Sequence, residues 1–396
     1  MNLVSFARRR DPHGRHGGPD GRAGVLSSAP VVCVSHGFQT NYERGFCNGL
    51  ASRGVDVTLI ASDRTDFSGL KPGVRVVNLR GSQAEDRSRL AKALNLLCYH
   101  LGLMGYVLVR RRSVVHVMGL IWPVFLCGVL QGAWFRMVSR RYVLTVHDLL
   151  PEVENRERYR RLCRWSYHLA HRLVVHTPRM KVALVAEFGV PADRITMMEH
   201  GTEPQHQSPD SALPAQREGG GVLLVAFGAV STRKGTDLLL QALAQVDFAF
   251  RLVIAGMCVD TAFRQRLQGL IAPHPRRDSI EWHDGFLEEA KANALLQSAD
   301  ALVMAYRHID QSGVLFQALH FGVPVVATRV GEFERYITAQ VGELAPPEDI
   351  AGIRDALQRW HSRRGMLSRE RIREIGRSYE WSVTVGALAG AYGEAR

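Results

Sequence analysis

Short apolar runs alternate with longer segments of helical periodicity along nearly the whole chain. Residues 31–35, 55–62, 74–78, 114–117, 142–146 and 173–176 are runs of strand length, and 195–198 adds a weaker one. Segments 43–53, 87–110 and 156–170 lie between them and read as helices. A second series follows at 222–227, 250–255, 279–282, 301–304, 324–327 and 342–344, with helices at 235–244, 287–298 and 313–320. Near-continuous Val, Ile and Leu runs separated by helices are the pattern of parallel strands buried on both faces. Between the two series, PQHQSPDSALPAQREGGG is polar and rich in Pro and Gly, which is linker composition. Residues 381–392 are helical in pattern with no strand after them. The expected organisation is therefore an α/β chain of two doubly wound, Rossmann-like domains. The first spans 29–203, a linker 204–220, the second 221–378, and a terminal helix 379–396. No internal repeat of short fixed period is visible. Ligands in such sheets sit beyond the carboxyl ends of the strands, so a crevice between the domains is the expected site.

Residues 117–135 carry no charge and are just long enough to cross a bilayer. Pro123, Gly119, Gly128, Gln131 and Gly132 weaken that reading, and the segment begins inside a strand. It reads as a strand end, a loop and a buried helix, with a helix lying in a membrane surface as the alternative.

Charge is uneven. Residues 1–200 hold 29 Lys+Arg against 15 Asp+Glu, and residues 201–396 hold 21 against 23, so the whole excess of the +12 chain lies in its first half. Such a face favours phosphates, nucleic acid or acidic lipid headgroups, or is simply solvated. No nucleic-acid-binding motif accompanies it. Six scattered cysteines without a CxxC pair indicate neither a zinc site nor a disulfide framework, and a reducing cytosol fits best, with peripheral contact to an anionic membrane surface. Residues 1–28 are rich in Arg, Gly and His and read as a disordered tail, with a mitochondrial leader as the weaker alternative.

The most informative stretch is SADALVMAYRHIDQSGVLFQALHFGVPVVATRVGEFERY, at 298–336. It holds a strand, a polar loop, a Ser312-Gly313 turn, an apolar helix and a second strand. A turn that opens a helix directly after a strand offers unpaired N–H groups and the positive helix end, where phosphates bind. Ser312, Gly313 and Val314 would supply backbone amides, and Gly313 permits close approach. Gln317, one turn later, can donate to and accept from ribose hydroxyls. A plain helix start with Ser312 as N-cap explains the same residues. In AFGAVSTRKGTDLLLQAL, at 226–243, Lys234 stands at a helix N-terminus, where the dipole disfavours a cation; a bound anion would resolve the conflict. Arg233 adds a fork-shaped donor. A solvated loop without a ligand is the alternative, and GxxxxGK[ST] is absent.

LTVHDLLPE puts His147 and Asp148 at a strand end, where His147 would donate to a sugar hydroxyl or a developing charge, or be held by its own backbone turn. His116, inside VVHVM, reads as a satisfied core histidine. The loop SHGFQTNYERG after the first strand is not GxGxxG, so hydride chemistry loses its main support. Gly37 would still let an amide approach a phosphate, or is an ordinary turn glycine.

With LVVHTPRMKVALVAEFGVPADRITMMEHG in place between them, these segments together resemble the family-4 retaining glycosyltransferases of the GT-B fold, in the subgroup with a Gln-Ser-Gly loop. The resemblance covers about residues 30–396. It implies transfer from a nucleotide-diphosphate sugar to a glycan or polyprenyl-linked acceptor, with retention at the anomeric carbon, no required metal and no cofactor. By match, Lys234 would sit on the diphosphate beside the amides of 312–314, and His147 would reach the donor sugar. Gly285, Phe286 and Leu287 match the segment near the base. Gln317 stands where the family usually has a ribose-binding Glu. The final helix would cross back to the first domain. There are departures: Ala229 replaces a usual Arg, which Arg233 would compensate. A usual Glu falls at Ile309, with Asp310 one step away, and Arg335 occupies the place of another Glu. These losses motivate one rival, a catalytically weakened homologue serving as a binding partner in an assembly complex. A nucleotide-sugar epimerase, a second rival, would need convergent carboxylates, and few are found.

Overall fold

A computed structural model describes residues 26–27, 29–35, 40–63, 65, 69–84, 86–120, 125–150, 156–202, 221–309 and 312–393. Residues 1–25 and 28 of the expected tail, the whole linker, Gly37 and Asp310 lie outside the described residues, whereas Leu26 and Ser27, expected in the disordered tail, are buried, Leu26 joining the first-lobe core. Every strand expected from the sequence forms. The first lobe holds β1 (Val31–Val34), β2 (Val57–Ala61), β3 (Val74–Asn78), β4 (Val114–Val117), β5 (Arg141–Val146), β6 (Arg172–Val175) and β7 (Ile195–Met197). The second holds β8 (Val222–Phe227), β9 (Phe250–Ala255), β10 (Ile280–His283), β11 (Ala301–Met304), β12 (Val325–Thr328) and β13 (Gly342–Ala345). All pairings are parallel, for example Val31 opposite Val57 on one side and Val114 on the other. The spatial orders are β3-β2-β1-β4-β5-β6-β7 and β10-β9-β8-β11-β12-β13. The order reverses between β1 and β4 and between β8 and β11, so each lobe has one switch point at which strand ends splay and leave room for a ligand.

The helices of the first lobe are α1 (Thr40–Ser52), α2 (Arg89–Val109), α3 (Gln131–Val138), α4 (Arg156–Leu169) and α5 (Pro178–Phe188). Those of the second are α6 (Thr236–Leu243), α7 (Thr261–Ile271), α8 (Glu289–Ser298), α9 (Gly313–Phe321), α10 (Phe333–Tyr336), α11 (Ile350–Arg363) and α12 (Arg369–Arg377). Local chemistry sets their ends. The Thr177 hydroxyl accepts from the Met180 amide, Pro178 starts α5, and Gly189 ends it in the left-handed region at φ 68°. The uncharged stretch resolves into a strand and a helical segment that is only half buried, Phe125, Leu130 and Met137 being exposed. β4 ends at Val117, and a π-type turn at Phe125–Leu130 leads into α3, with Cys127, Gly128, Gln131 and Phe135 buried.

The chain end returns to the first lobe, as the resemblance implies, though as successive turns and not one helix: α13 (Trp381–Thr384), a 3-10 stretch (Val385–Leu388) and α14 (Ala389–Tyr392). Trp381, Val385, Leu388 and Tyr392 join a core with β1, β2 and α1. The return path is pinned where it crosses. Thr202 and Glu380 form a parallel bridge, the Thr202 amide donating to the Tyr379 carbonyl at 2.8 Å and the Trp381 amide to the Thr202 carbonyl at 3.0 Å. Two ion pairs also link the lobes, Arg44 with Glu289 at 2.7 Å and Arg335 with Glu199. Arg335, the residue standing in place of a family Glu, is thus engaged in holding the lobes together.

Candidate active site

The second-lobe site is built on the switch point between β8 and β11. β8 ends at Phe227, the chain turns through Gly228, and a 3-10 turn (Thr232–Lys234) leads to Gly235. Gly235 has φ 64°, and a Cβ there would stand 1.8 Å from the Ala305 carbonyl oxygen, so only glycine lets this turn lie against β11. Arg307 clamps the same turn. Its amide donates to the Arg233 carbonyl at 2.8 Å, and its guanidinium reaches the Thr232 carbonyl at 2.6 Å. The guanidinium also forks onto buried Asp237 at 2.8 and 2.9 Å. Asp237, in the first turn of α6, complements the helix dipole as well.

This scaffold aims Lys234 inward. Its ammonium lies 4.2 Å from the Tyr306 ring centroid and donates to the Tyr306 hydroxyl, which is also bonded to the Ser312 side chain. A Cβ built on Gly228 would lie 3.5 Å from Nζ and 3.8 Å from Val314 Cγ2, so lysine, glycine turn and α9 start meet at one point. A pocket beside them is lined by Phe227, Gly228, Ala229, Lys234, Ala305 and Tyr306. Ser312 occupies the N-cap position of α9 but makes no side-chain cap hydrogen bond, its hydroxyl being turned to Tyr306. Ser312 thus leaves the first amides of α9 without its own cap, and free helix-start amides are what an anion needs.

Burial, and then the Arg233 charge, lower the Lys234 pKa to about 8. The folded value lies below the unfolded one, so this group contributes stability that grows as pH rises from about 8 toward the ordinary lysine range; below that window its full burial cost is present. A bound diphosphate would reverse the shift. Near pH 8, binding of a nucleoside diphosphate should take up about half a proton. Calorimetry in buffers of different ionisation enthalpy reads this directly, and the uptake should vanish in Lys234→Met.

The other second-lobe candidates are less tightly gathered. Arg233 is exposed and Gln317 half-buried. Gly285, Phe286 and Leu287 follow β10 at the sheet edge, with Phe286 92% exposed and Leu287 packed against the core.

The first-lobe part centres on histidines. His147 follows β5, and Gly119 comes so near that a Cβ there would sit 3.1 Å from its Cδ2. His147 bonds to the Met118 backbone, while its Nε2 is buried and has no hydrogen-bond partner. The bond to Met118 therefore uses Nδ1, whose proton goes to the carbonyl. Burial, then the neighbouring His200, lower its pKa to about 4, so the ring is neutral and Nε2 presents a lone pair. The sequence reading made His147 a donor, whereas a neutral ring bonded to Met118 through its Nδ1–H would accept at Nε2. His116 is satisfied as expected, with Tyr392 at 2.5 Å and Thr145 at 2.7 Å.

Sequence reasoning missed the partners. Tyr42 bonds His176 at 3.2 Å and packs edge-on against His147 and His200. His200 stacks on Phe316 of α9, with its Cε1 3.7 Å from where a Gly313 Cβ would be. It thus joins the first-lobe cluster to the 312–314 turn. The signal available was the His-Gly pair before the linker and a strand-end histidine at 176. Among the described residues, no group of three or more His, Cys, Asp or Glu is placed to hold a metal ion.

Comparison with known proteins places this geometry. The family model described as Glycosyltransferase Family 4 matches residues 39–206, and that described as Glycosyl transferases group 1 matches residues 221–363. A GDP-mannose:glycolipid 4-beta-D-mannosyltransferase of Xanthomonas campestris pv. campestris is 24% identical over 246 residues, covering 57% of this chain and 63% of that protein. A D-inositol 3-phosphate glycosyltransferase of Xylanimonas cellulosilytica is 28% identical over 239 residues, or 56% of this chain and 57% of that one. The chain thus matches less than two thirds of the length of these curated relatives. Among solved structures, sucrose-phosphate synthase from Thermosynechococcus elongatus superposes with TM-score 0.69 at 19% identity, covering 91% of this chain and 96% of that one. Anabaena HepE in complex with UDP gives 0.68 at 14%, covering 92% and 98%. The two domain matches together take in most of the chain, and with the two facing parallel sheets they show that it belongs to the family-4 glycosyltransferases and has their GT-B fold.

Proposed function

We propose that the chain transfers a hexosyl group from a nucleotide-diphosphate sugar to a glycan or polyprenyl-linked acceptor, with retention of anomeric configuration and without a metal. The observation that carries the reading is the convergence of the Lys234 ammonium on the start of α9, whose N-cap residue Ser312 makes no side-chain cap. Departure of the nucleotide diphosphate builds negative charge on the leaving oxygen. Lys234 and the amides of Ser312, Gly313 and Val314 would stabilise it in a crevice shielded by the opposing lobe. Phe286 offers an exposed ring for a base, and Gln317 an amide for the ribose. The leaving phosphate would accept the acceptor's proton, so no protein base is required. His147 would receive a hydrogen bond from a donor-sugar hydroxyl at Nε2.

A panel of UDP-, GDP-, ADP- and dTDP-sugars in thermal shift selects the donor, and NMR of the product fixes its anomeric configuration. The expected product keeps the donor's configuration, and His147→Ala lowers turnover more than donor affinity. A product of opposite configuration would overturn retention. It would favour a second reading, motivated by the unpartnered Nε2, in which His147 is the base that deprotonates the acceptor.

A further inference from the structure

We propose that the outward face of α2 lies flat on an anionic lipid bilayer and docks the first lobe there. The helix is 21 residues, about 31 Å long at 1.5 Å per residue. Its inner side is buried through Tyr99, His100, Leu103 and Val107, and His100 bonds Gln131 of α3 at 2.6 Å. Its outer side carries Leu90, Leu94, Leu97, Leu101 and Leu108 at steps of 4, 3, 4 and 7 residues, a single stripe on a helix, and Val109 ends it. Leu90 is 71% exposed, Leu101 61% and Val109 82%. Gly102 and Gly105 face open space, so nothing in the described chain covers the stripe. A soluble face would be polar here, and contiguous apolar surface of this length marks an interaction site.

Charge selects the partner. From residue 87 to residue 147 there is no Asp or Glu. Arg89 lies beside the stripe at one end and exposed Arg111 and Arg112 follow it at the other, with exposed Arg136 on the neighbouring α3. An apolar stripe bracketed by cations matches acyl chains beneath phosphate headgroups. The helix has the length and mean hydropathy, 1.3, of a membrane span, but one side is fixed to the lobe, so it lies on the surface instead of crossing. The inference rests on the proposed function in one respect: a bilayer is where a polyprenyl-linked acceptor resides.

The test is sedimentation of the full chain with vesicles of phosphatidylcholine and phosphatidylglycerol, 70:30, against phosphatidylcholine alone. Wild type should partition onto the anionic vesicles and be released by salt. Leu97→Glu/Leu101→Glu should lower partitioning at least about tenfold, and Arg111→Ala/Arg112→Ala several-fold. All these side chains are exposed or half-exposed, and unchanged thermal melts verify the fold. Wild type that stays in solution, or a leucine variant that binds undiminished, overturns the proposal. So does a lipid-free dimer that the leucine variant dissociates, because the stripe would then be a self-association surface. The nucleotide-induced thermal shift of the same samples tests the donor site separately, so failure of one reading is distinguishable from failure of the other.

Discussion

Lys234→Ala should lower transfer by a factor of about 100 or more, roughly 3 kcal/mol of transition-state stabilisation for one well-aimed donor in a water-poor site. Its effect on stability should be small. The ammonium is buried beside Tyr306 and under repulsion from Arg233, and the protein holds its pKa below that of free lysine. Removing a cation that the fold disfavours releases that cost, and α6 keeps its start because Gly235, Arg307 and Asp237 do not depend on the lysine head. Michaelis kinetics on the purified variant, paired with a thermal melt, decide the matter. Turnover within a few-fold of wild type would remove Lys234 from the mechanism, and a lost melt would mean that the side chain is structural.

Trp381→Ala should destabilise the first lobe by about 3–5 kcal/mol, the range for deleting a large buried aromatic. The indole is 3% exposed and fills a space that nothing nearby can refill. It lies edge-on to Tyr42 at 4.8 Å and Phe46 at 5.9 Å, and close to His200 at 5.2 Å. Gly201 admits it only because it lacks a side chain, since a Cβ there would come 2.1 Å from the ring, and Gly49 likewise makes room for the Trp381 backbone. Chemical denaturation monitored by far-ultraviolet circular dichroism gives the number. A loss under about 1 kcal/mol would show that the chain terminus is dispensable to the lobe.

The sheets were legible because they are parallel and buried on both faces. VVCV, VTLIA and VLLVAF have no polar alternation, and their apolar length alone marks them. The helices at 43–53, 87–110 and 156–170 showed by periodicity, whereas α5, whose ends Thr177 and Gly189 fix, was too short and too weakly patterned to stand out. The site was legible only where chain neighbours build it. Lys234 and the 312–314 turn could be read because each is a strand, a turn and a helix in sequence order. Tyr306 could not, because its role comes from a hydroxyl that meets a lysine 72 positions away. Nor could the histidine cluster, whose members sit at the ends of β5, β6 and β7 and become neighbours only through sheet order. Whether His147 donates or accepts depends on which nitrogen meets the Met118 backbone, a matter of atoms and not of residue type.

The paired hydrogen bonds between Thr202 and the 379–381 segment restrict how the halves can move. A single covalent crossing would behave as a ball joint, free to twist as well as swing. Two crossings bonded side by side behave as a door on two pins: twisting would break both N–H···O contacts, while swinging spares them. Each catalytic cycle should then bring the acceptor toward the sugar along the same arc, fixing the angle of attack before any side chain touches it.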